Sequence, residues 1–260
     1  SDHTQLSVAC IRELNISILL LKFSIRVTYP FACGIIAVSQ GAKEDLCQLG
    51  NFLDDQIKVI YNPAATDVAA YCEEQESREE LWGKEGGYHI LSVGSLKKQK
   101  DHATLIRAFA QLSSELKAKL TILGEGSLRE ELESLISQLK LEEQVRMPGF
   151  IIDPKPWYHT ADLFVLSSQW EGFGNVLVEA LECGIPVVST DCTSGPSEIL
   201  ENGRYGKLVP VGDVKMLAHN IEESLLASHD HEALIRRSKE FSVERISAQY
   251  LNFFKLLPNG

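Results

Sequence analysis

No stretch of this 260-residue sequence runs unbroken through the roughly 18 apolar residues that a membrane-spanning helix needs. The best candidate, Ile16 to Phe23, is short, is broken by Lys22 and is followed by Arg26. No basic segment precedes it and no small-residue cleavage site follows, so it does not read as a signal peptide. It reads as a core or interface helix, with contact to a membrane surface as the alternative. Basic residues are also scarce: 25 Lys and Arg stand against 36 Asp and Glu, a formal net charge of -11. That excludes a general affinity for nucleic acid or anionic lipid, while a local basic pocket for phosphate stays open. The six cysteines, Cys10, Cys33, Cys47, Cys72, Cys183 and Cys192, form no C-x-x-C pair and no metal-ligand spacing, so they read as free thiols of a reducing cytoplasm. Gly124 and Gly126 begin a dinucleotide fingerprint, but no third glycine closes it.

What is present is an ordinary globular composition, 44% hydrophobic and 23% charged, long enough for one large domain or two small ones. The most informative stretch runs from Ser168 to Ala180. An apolar run, Asp162 to Leu166, stops at two serines, passes through Gly172 and Gly174, and gives way to apolar residues at helical spacing. That pattern predicts a buried strand feeding a helix through a flexible turn. A helix opened by glycines presents backbone N–H groups under the positive end of its dipole, a ready site for phosphate or crowded hydroxyls. Two carboxylates flank the turn, Glu171 before it and Glu179 expected two turns into the helix.

Glu171 and Glu179, with seven residues between them, resemble the E-x7-E signature of retaining GT-B glycosyltransferases of family 4. Gly184-Ile185-Pro186-Val187-Val188-Ser189-Thr190 resembles the strand that follows it there. The similarity runs from about Ile36 to Val211 and into the last helix. It implies an α/β fold: a Rossmann-like, doubly wound parallel sheet forming the C-terminal domain of the GT-B fold, plus a remnant of the N-terminal domain. Residues 1–64 would be that remnant of the acceptor-binding domain, residues 65–240 the nucleotide-sugar domain, and residues 241–260 a helix returning toward the N-terminal side. On this reading the chain looks truncated, since the family's glycine-rich acceptor loop and acceptor-side histidine have no match.

Taken in order, Leu14 to Val27 has helical spacing, Phe31 to Ser39 reads as a short strand, and Ser39 caps a helix from Gln40 to Leu49. Ile57 to Tyr61 is a second strand ended by Asn62-Pro63. Glu73 to Lys84 reads as a charged, solvated helix. Tyr88 to Gly94 opens the second domain, and His102 to Leu116 and Ala118 to Leu123 are the next helix and strand. Ser127, with Glu130 completing a capping box, starts the helix to Leu139. Val145 to Phe150 is a strand, and Trp157-Tyr158-His159, on a short helix, read as packing. Val187 to Ser189, a helix from Asp213 and apolar helical spacing from Phe241 to Leu257 complete the chain.

The loop from Ser95 to Asp101 lies after a strand's carboxyl end, the edge where open α/β sheets bind ligands. The family has V-G-R-L and then a lysine here. Lys100 matches the lysine, but Ser95 stands in the arginine position after Gly94, and Lys97 and Lys98 read either as substitutes or as a solvated charge run. By resemblance Lys100 and the N–H groups at Asn175 and Val176, after the turn Gly172-Phe173-Gly174, would neutralise the diphosphate of a nucleotide sugar. Glu179 would accept from both ribose hydroxyls, the loop at Gly149 and Phe150 would hold the base, and Glu171 would bind the transferred sugar and stabilise charge at its anomeric carbon. Glu171 and Lys100 are thus the catalytic candidates. No D-x-D occurs, so no metal and no other cofactor is expected. The resemblance implies hexose transfer with retention, from a donor carrying UDP, to a glycan or lipid-linked acceptor, in the cytoplasm or at the inner face of the membrane. A non-catalytic nucleotide-sugar-binding module is the alternative, and a sugar-nucleotide epimerase of the same fold fits the motif less well.

Overall fold

The computed structural model describes residues 19–65, 78–83 and 87–256. Residues 19–28 are helical, and a short parallel pair follows, β1 (Ile35–Ala37) and β2 (Ile57–Val59), with α1 (Gln40–Gly50) between them. Ser39 does cap α1, its hydroxyl accepting from the Ala42 N–H at 3.1 Å. The strand is shorter than Phe31 to Ser39 because a 3-10 turn over Tyr29–Phe31, which holds Pro30, takes up its start, and pairing with β2 covers only Ile35 to Ala37.

The main body alternates strand and helix: α2 (Arg78–Trp82), β3 (His89–Val93), α3 (His102–Phe109), β4 (Lys119–Leu123), α4 (Arg129–Gln138), β5 (Val145–Gly149), α5 (Lys155–Thr160) and β6 (Leu163–Leu166). It continues through α6 (Asn175–Glu182), β7 (Val187–Thr190), α7 (Pro196–Ile199), β8 (Lys207–Val209), α8 (Val214–Leu226), α9 (His231–Ser238) and α10 (Val243–Leu256). Six strands form one parallel sheet in the order β5-β4-β3-β6-β7-β8. The central strands read as continuous apolar runs because helices cover both faces: β6 is buried at every position. One apolar cluster, around Phe164, Phe173, Leu177 and Phe241, fills one face, and another, around Ile90, Leu105, Ile122 and Val165, fills the other.

This order sets the functional edge. From β3 the chain winds outward through β4 to β5, and from β6 in the opposite sense through β7 to β8. The carboxyl ends of the adjacent strands β3 and β6 therefore flank a topological switch point, where open sheets leave a crevice. The loops beginning at Gly94 and at Ser167 meet there.

Three further expected elements differ. The helix from His102 ends at Phe109 instead of Leu116, and Ser113 starts a separate 3-10 turn, accepting from the Glu115 N–H. Ser127 does not cap α4; the residue before the helix is Leu128, with no side-chain cap. The Leu128 N–H instead donates to the Leu96 carbonyl at 3.0 Å, so a contact to the β3 loop sets this start rather than a local capping box. Of the charged helix from Glu73 to Lys84 only α2 falls within the described residues. Its aromatic end is buried, with Trp82 stacked on His89 at 4.6 Å. Cys10 and Cys72 lie outside the described residues, and Cys33, Cys47, Cys183 and Cys192 are free thiols. Among the described residues no helix is long and apolar enough to cross a membrane.

The N-terminal segment is tied to the main body at several points. The Ala65 N–H donates to the Phe241 carbonyl, and the Tyr61 ring stacks on Phe173 and meets Phe241 edge-on. Glu198, on α7, accepts from the Gln40 and Gly41 N–H groups at 2.7 and 3.2 Å and so caps α1 from across the crevice. A carboxylate at a helix N-terminus is favoured by the dipole and satisfies N–H groups the helix cannot. Glu198→Ala is expected to lower the unfolding free energy by about 1 to 2 kcal/mol in urea titration. An unshifted midpoint would mean that water serves those N–H groups equally well.

Candidate functional site

After β3 the chain makes a 3-10 turn over Lys98–Lys100, and Asp101, in the left-handed region at φ 45°, caps α3 by accepting from the Thr104 N–H and hydroxyl. The turn returns the Lys100 stem over Gly94, where an added Cβ would stand 3.2 Å from the lysine Cδ. The loop after β6 is laced to it. Ser167 Oγ donates to the Lys100 carbonyl at 2.8 Å, the Gln169 N–H to the Gln99 carbonyl at 2.8 Å, and Gln99 Nε2 to the Trp170 carbonyl at 2.9 Å.

This lacing brings two residues 71 positions apart into contact. Lys100 Nζ donates to Glu171 Oε1 at 2.6 Å, and Ser168 Oγ donates to the same oxygen at 2.6 Å. The side chains are only 15% and 7% exposed, so the pair is largely withdrawn from water. The motif turn is braced from behind by the loop after β7. The Glu171 N–H donates to the Thr193 carbonyl, and Gly195 lies so close to Phe173 that a Cβ there would stand 1.7 Å from the Phe173 carbonyl oxygen. No side chain heavier than glycine fits.

α6 starts after Gly174, which is left-handed at φ 102° and leaves the helix without a side-chain cap. Asn175 is exposed, and its Oδ1 accepts from Asn62 Nδ2 at 3.0 Å. A cavity of about 340 Å³ lies in front of this helix end, lined by Val38, Asn62, Lys100 and Glu171 with Gly172 to Val176. A second, apolar-walled cavity of about 280 Å³ lies at the ends of β3, β4 and β5, with Gly94, Ser95, Gly124 and Phe150 among its walls. Gly124 belongs there for a steric reason: at φ 147°, a Cβ would reach within 2.0 Å of the Gly94 carbonyl oxygen. Cavities of about 610 and 740 Å³ open near the starts of β4 and of β7 and β8, the edge opposite the switch point.

The structure thus gathers Lys100, Glu171, Gly172, Phe173, Gly174, Asn175 and Val176 at one cavity and Gly94, Ser95 and Phe150 at the other. Gly149, at φ 102°, ends β5 and accepts from the Gly124 N–H, lining neither. Lys97 and Lys98 are exposed. Glu179 lies just over one turn into α6 and lines neither cavity; it is half-buried, and its Oε2 accepts from the Tyr158 hydroxyl at 2.8 Å. Burial raises the Glu179 carboxyl above its ordinary value, the Tyr158 hydrogen bond opposes that shift, and the charge of Glu182 adds to it. Among the described residues no group of three His, Cys, Asp or Glu side chains is placed to hold a metal ion.

Sequence reasoning missed Ser168, Tyr158, Asn62 and Glu198. Ser168, three residues before Glu171, carried a local signal. The partners of the other three lie 21, 113 and about 158 residues away, separations no motif reports.

The model of the family described as glycosyl transferases group 1 matches residues 73–241. The sequence is 35% identical to an N-acetylgalactosamine-N,N'-diacetylbacillosaminyl-diphospho-undecaprenol 4-alpha-N-acetylgalactosaminyltransferase of Campylobacter jejuni, over 92% of this chain and 64% of that protein. It is 31% identical to the glycosyltransferase MJ1607 of Methanocaldococcus jannaschii, over 86% of this chain and 60% of that one. Among solved structures, Alr3699/HepE of Anabaena in complex with UDP and glucose superposes with a TM-score of 0.79 at 27% identity, over 93% of this chain and 68% of that one. The chain therefore spans less than two thirds of the length of these curated relatives.

Proposed function

The chain belongs to the glycosyl transferases group 1 family, and on that premise we propose that it carries the donor site of a retaining hexosyltransferase using a UDP-linked sugar. The observation that carries this reading is the Lys100–Glu171 pair, held at 2.6 Å at the switch point beside the uncapped start of α6. In the absence of donor the two charges neutralise each other. A diphosphate entering the 340 Å³ cavity offers Lys100 a second anion, and α6 offers N–H groups at Asn175 and Val176. Glu171, released from Lys100 but still held by Ser168, then faces the sugar. As the bond from anomeric carbon to phosphate oxygen breaks, its electron pair goes to the diphosphate, stabilised by Lys100 and α6, and positive charge grows on the sugar beside Glu171. The acceptor oxygen bonds to the anomeric carbon from the face the diphosphate leaves, and its proton passes to the departing phosphate. On this reading Lys100 and the α6 N–H groups, with no metal, carry the charge of the diphosphate.

The donor base is uracil on the strength of the HepE complex, and the acceptor is a glycan or lipid-linked sugar on the strength of the Campylobacter relative. Residues 1–64 would contribute the acceptor side, in the cytoplasm or at the membrane's inner face. Calorimetric titration with UDP, UMP and ADP tests the proposal. UDP is expected to bind at least about tenfold more tightly than UMP, because the second phosphate engages Lys100 and α6, and more tightly than ADP. Equal affinity for UDP and UMP would remove the diphosphate from this site.

A further inference from the structure

We infer that Tyr158 is a positioning residue for nucleotide recognition, holding Glu179 Oε2 through its hydroxyl so that Oε1 is presented to the ligand. The inference rests on the donor-site reading above and extends it to a residue that read, on its short helix, only as packing. Tyr158 is 1% exposed, and its ring stacks on Phe164 of β6 with centroids 5.6 Å apart, so packing within the cluster on that face of the sheet fixes where the hydroxyl lies. A buried hydroxyl needs a partner, and here it donates to a carboxylate at 2.8 Å. Glu179 has three rotatable bonds; one short hydrogen bond to a rigid donor removes most of that freedom before any ligand arrives.

The same contact bears on charge. The titratable groups around Glu179 are Tyr158 from α5 and, on its own helix, Glu182, with Cys183 following. Burial and Glu182 both disfavour the carboxylate, and the Tyr158 hydrogen bond is the influence that favours it. Without that bond Glu179 would take up a proton at a higher pH, and a protonated carboxyl accepts poorly from ribose hydroxyls.

The test measures UDP and inorganic pyrophosphate affinities of the wild-type chain, Tyr158→Phe, Glu179→Gln and the double variant between pH 5 and 8. Tyr158→Phe is expected to weaken UDP about five- to twentyfold, as loss of a hydrogen bond to a charged group does, and to move the acid limb of UDP binding to higher pH. Pyrophosphate binding should stay unchanged. In the Glu179→Gln background the same substitution should cost no more than about twofold, because the two side chains act as one unit. If Glu179→Gln weakens UDP while Tyr158→Phe leaves both affinity and acid limb in place, the inference fails and the donor site stands. If neither substitution weakens UDP, the placement of Glu179 at the ribose fails and takes the inference with it. Should Tyr158→Phe not fold, the double variant, which lacks the stranded buried carboxylate, decides the matter: a loss well beyond twofold relative to Glu179→Gln overturns the proposal.

Discussion

Lys100→Met is expected to lower the unfolding free energy by about 3 to 5 kcal/mol, the cost of breaking a buried ion pair from one side, and to reduce UDP affinity at least tenfold. Glu171 is 7% exposed and shares its Oε1 between Lys100 and Ser168. With the ammonium gone, one neutral hydroxyl is left to a carboxylate that water scarcely reaches. Adding Glu171→Gln should restore most of the lost stability, since an amide in that place carries no uncompensated charge, while UDP binding stays impaired. Urea unfolding of wild type, single and double variants checks this. A single variant as stable as the double would mean that water enters the crevice and screens Glu171.

Glu179→Gln is expected to weaken UDP by about 1 to 3 kcal/mol, because a charged acceptor becomes a neutral one, and to change stability in the opposite sense. Burial raises the folded-state value of Glu179 above its ordinary 4.5. A group shifted upward contributes stability fully below its unfolded value and loses it as pH rises through the folded one. At pH 8 the wild-type chain therefore carries a disfavoured buried charge that glutamine lacks, and the variant should melt at or above the wild-type temperature. The two curves should converge below about pH 4.5, where the wild-type carboxyl is neutral. A variant that melts lower at pH 8 and higher in acid would show that the Tyr158 bond outweighs burial.

The alternation of strand and helix was legible because a parallel sheet covered on both faces writes itself as apolar runs separated by helical spacing, as β6 and α6 do. The strand–glycine–helix unit around Glu171 was legible for the same reason: its parts are adjacent in sequence. What sequence could not show is the distance between elements. Lys100 and Glu171 belong to different loops and meet only because β3 and β6 are neighbours at the switch point. Tyr158 looked like packing because its aromatic ring does pack, and the use of its hydroxyl depends on where α6 lies. Ser127 satisfied a capping rule that a tertiary bond from Leu128 to Leu96 overrode. Local chemistry was readable, then, and chemistry made by the winding order of the sheet was not.

The central claim, that this crevice is a donor site, is tested most directly by a crystal structure of the chain soaked with UDP. The account predicts the diphosphate at the start of α6 against Asn175 and Val176, Lys100 Nζ moved from Glu171 onto phosphate oxygen, and a ribose hydroxyl on Glu179. UDP bound at the opposite edge of the sheet, in the cavity near Arg204 and Arg237, with the Lys100–Glu171 pair intact, would contradict it.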